Sequence, residues 1–411
     1  MSTLTTTIKL QLYPTIEQKQ QLDVMSEQYR QACNFVSEWI FNNDLCLKTK
    51  IINDNLYYIV RDKFNLKSQM AQSIFKTVVA RYKTVKEQYK QNPYKYKDQK
   101  GKTKFIKRTL EWLRKPIFFK RPQVDLVMNR DYSFKDNFNN ISLNTLDDRI
   151  ICPFEKKHFG SYINNKDFKL GTGKIVTCKK KYYFHIPVTF EVPDFDKAKV
   201  KHVVGIDRGL RFLSATYDET GKTVFISGKE IQNKRNHFAH LRAELQSKGT
   251  KSSKRALKRL NDRENRYMAN INHIIAKTLC NIYGEDTLFV IEDLTGVSFE
   301  ETNLNKSKKQ KYKLRTWSFY QLEQFLIYKA NKIGSEVIKV DAHYTSQRCP
   351  KCGTIHKENR HHNTHEYICC NCGYRSNDDR IGAMNLYQLG TDYISGIEKP
   401  KFEVQKIKRL Y

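Results

Sequence analysis

Polar and apolar positions alternate from Leu4 to Leu12 (LTTTIKLQL), the two-residue period of a half-buried strand, and Pro14 ends it. Thr15, followed three residues later by Gln18, has the form of a capping box. Beyond it Leu22, Met25, Tyr29, Cys33, Val36 and Ile40 recur at helical spacing. The pattern predicts helices to about residue 115, with breaks near Asn53-Asp54 and Asn92-Pro93. Residues 117–193 change character, to short β-like runs separated by Asn, Asp and Gly. The clearest is a hairpin: Lys174–Cys178, a turn at Lys179-Lys180-Lys181, and Tyr182–Val192, in which Tyr182, Phe184, Ile186, Val188, Phe190 and Val192 share one face. These runs predict a small antiparallel barrel or sheet, which the first strand can join. The charged stretch Pro193–Lys201 is the natural domain boundary.

After it, Val203–Asp207, Phe212–Tyr217 and Val224–Ser227 read as consecutive strands joined by tight turns. A long helical stretch follows, Lys229 to Tyr283, broken near Gly249. Its second half places Leu257, Leu260, Tyr267, Ile271, Ile274, Ile275, Leu279 and Ile282 on an apolar stripe. Thr287–Asp293 is a strand of the buried type. Glu300–Lys313 is polar and lysine-rich, and the pattern predicts a mobile segment there, a candidate element over a site formed near Glu292. Trp317–Ile333 reads as a helix, Glu336–Asp341 as a strand, Ile381–Leu389 as a short helix, and Gly390–Tyr411 as a basic, peripheral end.

At 411 residues the chain is long enough for two or three domains. Its 74 Lys and Arg against 43 Asp and Glu leave a formal net charge of +31, more than a solvated surface requires, and this points to a polyanionic partner held through phosphates. With no long apolar run and no signal-peptide pattern, membrane binding is the weaker explanation of the charge. Cys33, Cys46, Cys152, Cys178 and Cys280 are scattered as the thiols of a reducing compartment are. Between Lys83 and Arg121 the only acids are Glu87, Asp98 and Glu111, and Tyr89, Tyr94, Tyr96, Phe105, Trp112, Phe118 and Phe119 interleave with the positive charge. A charge run alone is usually a wet face; aromatics among the charges favour nucleic-acid contact.

Two sets of residues carry chemistry. Cys349-Pro-Lys-Cys352 and Cys369-Cys-Asn-Cys372 are paired CxxC knuckles, the spacing of a structural zinc ribbon. Cys369 rather than Cys370 completes CxxC with Cys372, and His356, His361, His362 and His365 read as surface residues, since a four-thiolate site needs no further ligand. The second set is Asp207 and Glu292, each at the end of an apolar strand, and Asp379 at the start of the helix after the ribbon. Singly, each reads as a turn, a solvated strand end or a helix cap, Asp379 together with Asp378. Three strands, a helix, a strand and a final helix bearing an acid is, however, the order of an RNase H-like sheet, in which the first and next core strands are neighbours. Carboxylates gathered there suit two divalent ions about 4 Å apart, as in metal-assisted phosphodiester hydrolysis, and Mg²⁺ fits an incompletely filled all-oxygen site.

The segments VVGIDRG, FVIEDL, YTSQRCPKCG and CCNCGYRSNDDRIGAMNL resemble those of TnpB, the transposon-encoded RNA-guided DNA endonuclease related to compact type V CRISPR effectors. The likeness is dense over residues 203–390; before that it rests on the order of parts. It implies a multidomain α+β protein: a wedge β-barrel (1–14 and 117–195), a helical recognition lobe (15–116), a RuvC-like nuclease (196–344 and 376–395), an inserted zinc ribbon (345–375) and a basic tail (396–411). It implies Asp207, Glu292 and Asp379 as the catalytic, Mg²⁺-binding triad, and one structural Zn²⁺ on Cys349, Cys352, Cys369 and Cys372. The family's last motif places its acid six residues before an Asn, here Asn385, which selects Asp379 over Asp378. The chain departs from that motif with Ile381 where relatives usually carry Asn, and Gly382-Ala383 where many have Ala-Ala. The implied partners are a guide RNA from the transposon end and double-stranded target DNA cut beside a short adjacent motif, with no membrane, in a monomeric ribonucleoprotein of the prokaryotic cytoplasm and nucleoid. A CRISPR effector would share every motif; a nuclease-dead guided repressor would need a broken triad; a DNA-binding or transposase-associated protein without guided cleavage leaves the ordered acids unexplained.

Overall fold

The computed structural model describes residues 2–155, 162, 167–294, 319–361 and 364–403. The chain divides into two compact units, Thr5–Glu191 and Val192–Tyr411 with Met1–Leu4. The segment expected to be mobile, Glu300–Lys313, lies outside the described residues, as do His362 and the last part of the tail.

In the first unit, strand β1 (Ser2–Leu12) leads into helix α1 (Ile16–Asn42), opened by a complete capping box between Thr15 and Gln18. Leu22, Met25, Tyr29, Cys33, Val36 and Ile40 are all fully buried, so the predicted stripe is the packing face. Each such apolar side chain contributes roughly 1.5–3 kcal/mol. Helices α2 (Thr49–Phe64) and α3 (Ser68–Gln91) complete a three-helix layer. Hydrogen bonds from Tyr29 Oη to Ser73 Oγ (3.0 Å) and Tyr82 Oη to Ser37 Oγ (3.0 Å) tie α1 to α3. The break expected near Asn53-Asp54 falls elsewhere. Those residues lie inside α2, where Ile52, Leu56, Val60 and Phe64 are buried at helical spacing, and the chain turns instead at Asp44 and Leu45 and at Asn65, all with positive φ. The break after Asn92 is where the sequence places it.

A short exposed hairpin follows, β2 (Tyr94–Lys97) with β3 (Thr103–Ile106). The remaining strands of this unit are β4 (Val124–Leu126), β5 (Tyr132–Lys135), β6 (Asn140–Asn144), β7 (Arg149–Pro153), β8 (Lys169–Leu170), β9 (Gly173–Cys178) and β10 (Lys181–Val192). They form a sheet ordered β1-β10-β9-β4, with β8 also on β10, and a second sheet β5-β6-β7. The hairpin turn is one residue shorter than expected: Lys181 pairs with Cys178, leaving Lys179 and Lys180 at positive φ in a two-residue turn. All six apolar residues expected on one face of β10 are buried.

The second unit is a mixed sheet ordered β13-β12-β11-β14-β15. Strands β11 (His202–Asp207), β12 (Phe212–Asp218) and β13 (Thr223–Ser227) are antiparallel neighbours. Strands β14 (Thr287–Glu292) and β15 (Glu336–Val340) run parallel to β11. One face packs against α5 (Lys251–Tyr283) and α6 (Phe319–Lys332) through Val204, Ile206, Phe289 and Ile291. The other packs against the last helix, α7 (Asp378–Ile394), through Leu288, Val290, Leu386 and Leu389. Helix α4 (Lys229–Lys248) joins α5 through Gly249, at φ +60°. The predicted stripe on α5 needs correction: Ile274 and Ile282 are 51% and 44% exposed. The buried face is Met268, Asn272, Ala276 and Cys280 beside Ile275, Leu279 and Tyr283, two rows at four-residue steps that face the sheet and α6. Among the described residues no helix is long and apolar enough to cross a membrane.

Candidate acid cluster and cysteine ribbon

Strand parity determines where the acids point. In β11, Val204 and Ile206 face α5, so Gly205 and Asp207 face α7; in β14, Phe289 and Ile291 face α5, so Leu288, Val290 and Glu292 face α7. The parallel register runs His202 opposite Thr287 to Ile206 opposite Ile291, and its next step brings Asp207 level with Glu292. Helix α7 lies across this end of the sheet because Gly205 has no side chain: a Cβ there would overlap the Ala383 carbonyl and the Tyr387 N–H. Gly382 faces the Asp207 carboxylate, where a Cβ would come within 2.8 Å of Oδ2. Asp379 lies one turn earlier on α7. The three expected acids therefore meet on one face of one sheet.

Asp379 does not cap the helix. Asn377 is the N-cap, its Oδ1 accepting from the backbone N–H of Asp379 (3.0 Å) and Arg380 (3.1 Å). Asp378 turns away, its carboxylate accepting from Arg360 Nε (3.1 Å) with His365 Nδ1 at 3.5 Å. Asp379 Oδ2 is buried without a hydrogen-bond partner, an uncommon and costly state for a carboxylate oxygen. Burial, with the charges of Glu292 and Asp379 beside it, holds the Asp207 carboxyl well above the usual carboxylate range. Burial raises Glu292 too, against the opposing pull of the Thr345 hydroxyl, which donates to Glu292 Oε1 (2.6 Å), and of Arg208. Burial and the neighbouring Asp378 raise Asp379. Crowded carboxylates with an unpartnered oxygen fit a hard divalent cation, which would relieve both burdens at once.

Arg360 is the residue that sequence reasoning missed. It stands in the ribbon, on strand β16 (Arg360–His361), yet its charge favours the ionised form of Asp207, Glu292 and Asp379 alike. No motif marks it, because its place depends on the ribbon folding back over α7.

The ribbon is a small sheet of β16, β17 (Glu366–Ile368) and β18 (Arg375–Asn377). Its knuckles repeat one geometry: the N–H of Cys349 donates to Thr354 O and that of Gly353 to Cys349 O, while Cys369 and Gly373 do the same with Tyr374 and Cys369. Gly353 (φ +76°) and Gly373 (φ +68°) make both turns. The four expected Sγ atoms lie within 4.8 Å of one another, with Cys349–Cys372 and Cys352–Cys369 at 3.6 Å. Zn–S bonds of about 2.3 Å at tetrahedral angles would place sulfurs about 3.8 Å apart, so the set fits zinc. Burial pushes the Cys349 thiol up to about 12, while hydrogen bonding at Thr354 brings Cys352 down to about 5. No other group of three or more His, Cys, Asp or Glu among the described residues closes this tightly, the acids included. Cys370 stands outside the set, its N–H donating to Asn359, and the described His residues are not part of it.

Ribbon and helix share a core. Ile381 is buried with Cys349, Tyr367 and Cys369, which gives the apolar residue at this position a packing role. Asn385, fully buried, donates to the carbonyls of Thr345 (2.7 Å) and Arg348 (2.8 Å), fixing the segment whose Thr345 orients Glu292.

Fold and site together define a mixed α/β protein with an acid cluster beside a four-cysteine ribbon. The sequence matches the OrfB_IS605 family, described as a probable transposase, over residues 185–297, and the Cas12f1-like TNB domain over 319–386. It is 28% identical over 222 residues to the CRISPR-associated endodeoxyribonuclease Cas12f1 of Sulfoacidibacillus thermotolerans, covering 51% of this chain and 50% of that one. A TnpB-like protein of Methanocaldococcus jannaschii is 25% identical over 265 residues, 62% of this chain and 90% of its own. The chain thus spans about half the length of the Cas12f1 relative. The fold resembles that of Cas12f1 in a complex with single guide RNA and target DNA, with a TM-score of 0.55 at 13% identity over 94% of this chain and 99% of that one. The resemblance to TnpB is therefore shown, and the chain is a relative of TnpB-like and Cas12f1 proteins.

Proposed function

We propose that this protein is an RNA-guided DNA endonuclease of TnpB type, hydrolysing both strands of a target duplex in a single RuvC-like site. The observation that carries the reading is the convergence of Asp207, Glu292 and Asp379, drawn from two parallel strands and the last helix, beside a ribbon that supplies Arg360. In this reading the three carboxylates hold divalent ions of the Mg²⁺ kind. Bound there, such ions supply Lewis-acid activation of water and neutralise charge on the leaving oxygen. Thr345 holds the Glu292 carboxylate in one orientation, and Asn385 holds Thr345. Arg360 favours ionised acids and offers a guanidinium to a phosphodiester. Sequence reading falls to a guide RNA, so the protein needs mainly a basic channel for the heteroduplex, for which the charge of +31 is suited. The domain ranges given above go with this reading: wedge barrel, recognition lobe, nuclease, zinc ribbon and tail. The cysteine set holds one structural Zn²⁺.

The test is purification with native flanking DNA, sequencing of the RNA carried along, and cleavage of a matching duplex in Mg²⁺. One dominant RNA and cleavage lost in Asp207→Ala, with RNA binding intact, support the reading; cutting retained by Asp207→Ala overturns the triad. The Cas12f1 likeness favours a second reading of the same chemistry, a CRISPR-like effector, and the origin of the bound RNA separates the two.

A further inference from the structure

The hairpin of β2 and β3 has no core function: all eight of its residues are exposed. An isolated two-stranded ribbon is marginal in water, yet this one is carefully closed. Asp98 Oδ1 accepts from the backbone N–H of Lys100 (3.0 Å) and Lys102 (2.9 Å), and Gly101 makes the turn at φ +74°. Tyr94 pairs with Ile106 and Tyr96 with Lys104, so these four side chains share one face. On it the rings of Tyr94 and Tyr96 are nearly parallel, 14° apart, with centroids separated by 6.5 Å, and the residues stay 50% and 38% exposed. Stacked nucleobases are spaced by about 3.4 Å, so a base between two rings needs about 6.8 Å from ring to ring. The centroid separation of the tyrosine pair is close to that spacing. Trp112, on a turn anchored by buried Leu110, sets its ring 5.7 Å from Tyr94. Lys104 shares the tyrosine face, with its Nζ 3.4 Å from Asp98, the single acid of the hairpin, while Lys100 and Lys102 lie in or beside the turn and Lys95 and Lys97 stand on the opposite face.

We propose that this hairpin is a clamp for one unpaired nucleobase of an RNA strand, Tyr94 and Tyr96 sandwiching the base while the lysines hold the flanking phosphates. Charge complementarity selects a nucleic acid. A single slot, rather than a row of platforms along a groove, suits the bases that RNA loops and bulges splay out one at a time. The inference deepens the RNA partner of the proposed function and rests on that reading for the presence of RNA, but its test uses neither guide nor cleavage.

The full-length protein is titrated with an RNA stem-loop carrying 2-aminopurine at one loop position, with a fully paired RNA of equal length, and with the DNA version of the stem-loop. Stacking in the slot quenches the probe. The double variant Tyr94→Ala/Tyr96→Ala is expected to lose the quench and to weaken stem-loop binding by about tenfold or more, leaving paired RNA unaffected; Tyr96→Phe is expected to behave as wild type. No residue of the hairpin strands is buried in a core, so an unchanged Tm accompanies the loss. Retained quenching in the double variant overturns the clamp, and so does an equal loss on paired RNA, which marks a general charged surface. Equal quenching and affinity for the DNA stem-loop overturns the assignment to RNA. Any of these leaves the nuclease reading, tested through Asp207, standing.

Discussion

Gly382 touches the chemistry through what it lacks. A methyl group there meets Oδ2, Cγ and Cβ of Asp207 at 2.8, 2.9 and 3.2 Å, so the whole carboxylate has to move, not merely its tip. In a helix Gly→Ala also gains about 1 kcal/mol of propensity. Overpacking a buried site costs about 1–3 kcal/mol, more than that gain, so Gly382→Ala is expected to lower Tm and slow cleavage together, which thermal melts and single-turnover kinetics would reveal; both unchanged would show that the Asp207 side chain gives way here as it does in relatives with Ala-Ala at this point. The acids make a prediction with a sign. All three have folded-state pKa values raised above their ordinary ones, so the stability they confer is complete below the ordinary carboxylate range and is lost as pH rises through the raised values. Without divalent ions, Asp207→Asn is expected to melt above wild type by a few degrees at neutral pH and to converge with it near pH 4. Mg²⁺ should stabilise wild type at neutral pH and progressively less on acidification, because protons compete for the same oxygens. Melts across pH, with and without Mg²⁺, check both. The acids and thiols were legible as residues, since each ends or begins a recognisable run. Arg360 was not, because nothing local to it marks its neighbours.

At the scale of elements, the ribbon and α7 behave as one. Cys349, Tyr367, Cys369 and Ile381 form a single core, and Asn377 links β18 to the first turn of α7. Cys349→Ser should release zinc, measurable by elemental analysis, and should raise amide exchange at the start of α7 as well as in the ribbon. Unchanged exchange across 378–385 would separate the two elements. Asn377→Ala removes a cap serving two N–H groups and should cost about 1 kcal/mol, read by denaturant melts, with a further loss of cleavage because Asp379 stands in the turn it caps. Periodicity located most elements, and failed where side chains of similar character sit on adjacent rows. Ile274 and Ile275 are one residue and about 100° apart on α5; only contact with the sheet decides that Ile275 is core. The break assigned to Asn53-Asp54 failed because polar residues on the outer face of α2 resemble a turn when the buried row is not known.

For the whole molecule, the charge makes the governing prediction. A surplus of +31 engaging several phosphates implies binding that falls steeply with salt. For six to ten phosphate contacts, about a thousandfold or more in affinity should be lost between 50 and 200 mM salt, measured by filter binding on a duplex without guide. A shallow dependence would locate the charge away from the bound strand.

The sequence by itself determined the local structure: the capping box, the buried face of β10, the two knuckles with their glycines, the order of acids along the chain, and the likeness to TnpB that these motifs carry. Such features depend on neighbours within a few residues, where backbone geometry and alternation suffice. The tertiary structure alone decided what depends on approach between distant segments. It placed Asp207 level with Glu292 through parallel register, brought α7 onto Gly205, folded Arg360 back over the acids, and left the tyrosines of β2 exposed at the spacing of a base. Those outcomes are packing solutions: they are set by which surfaces exclude water together, and no pattern along the chain records that.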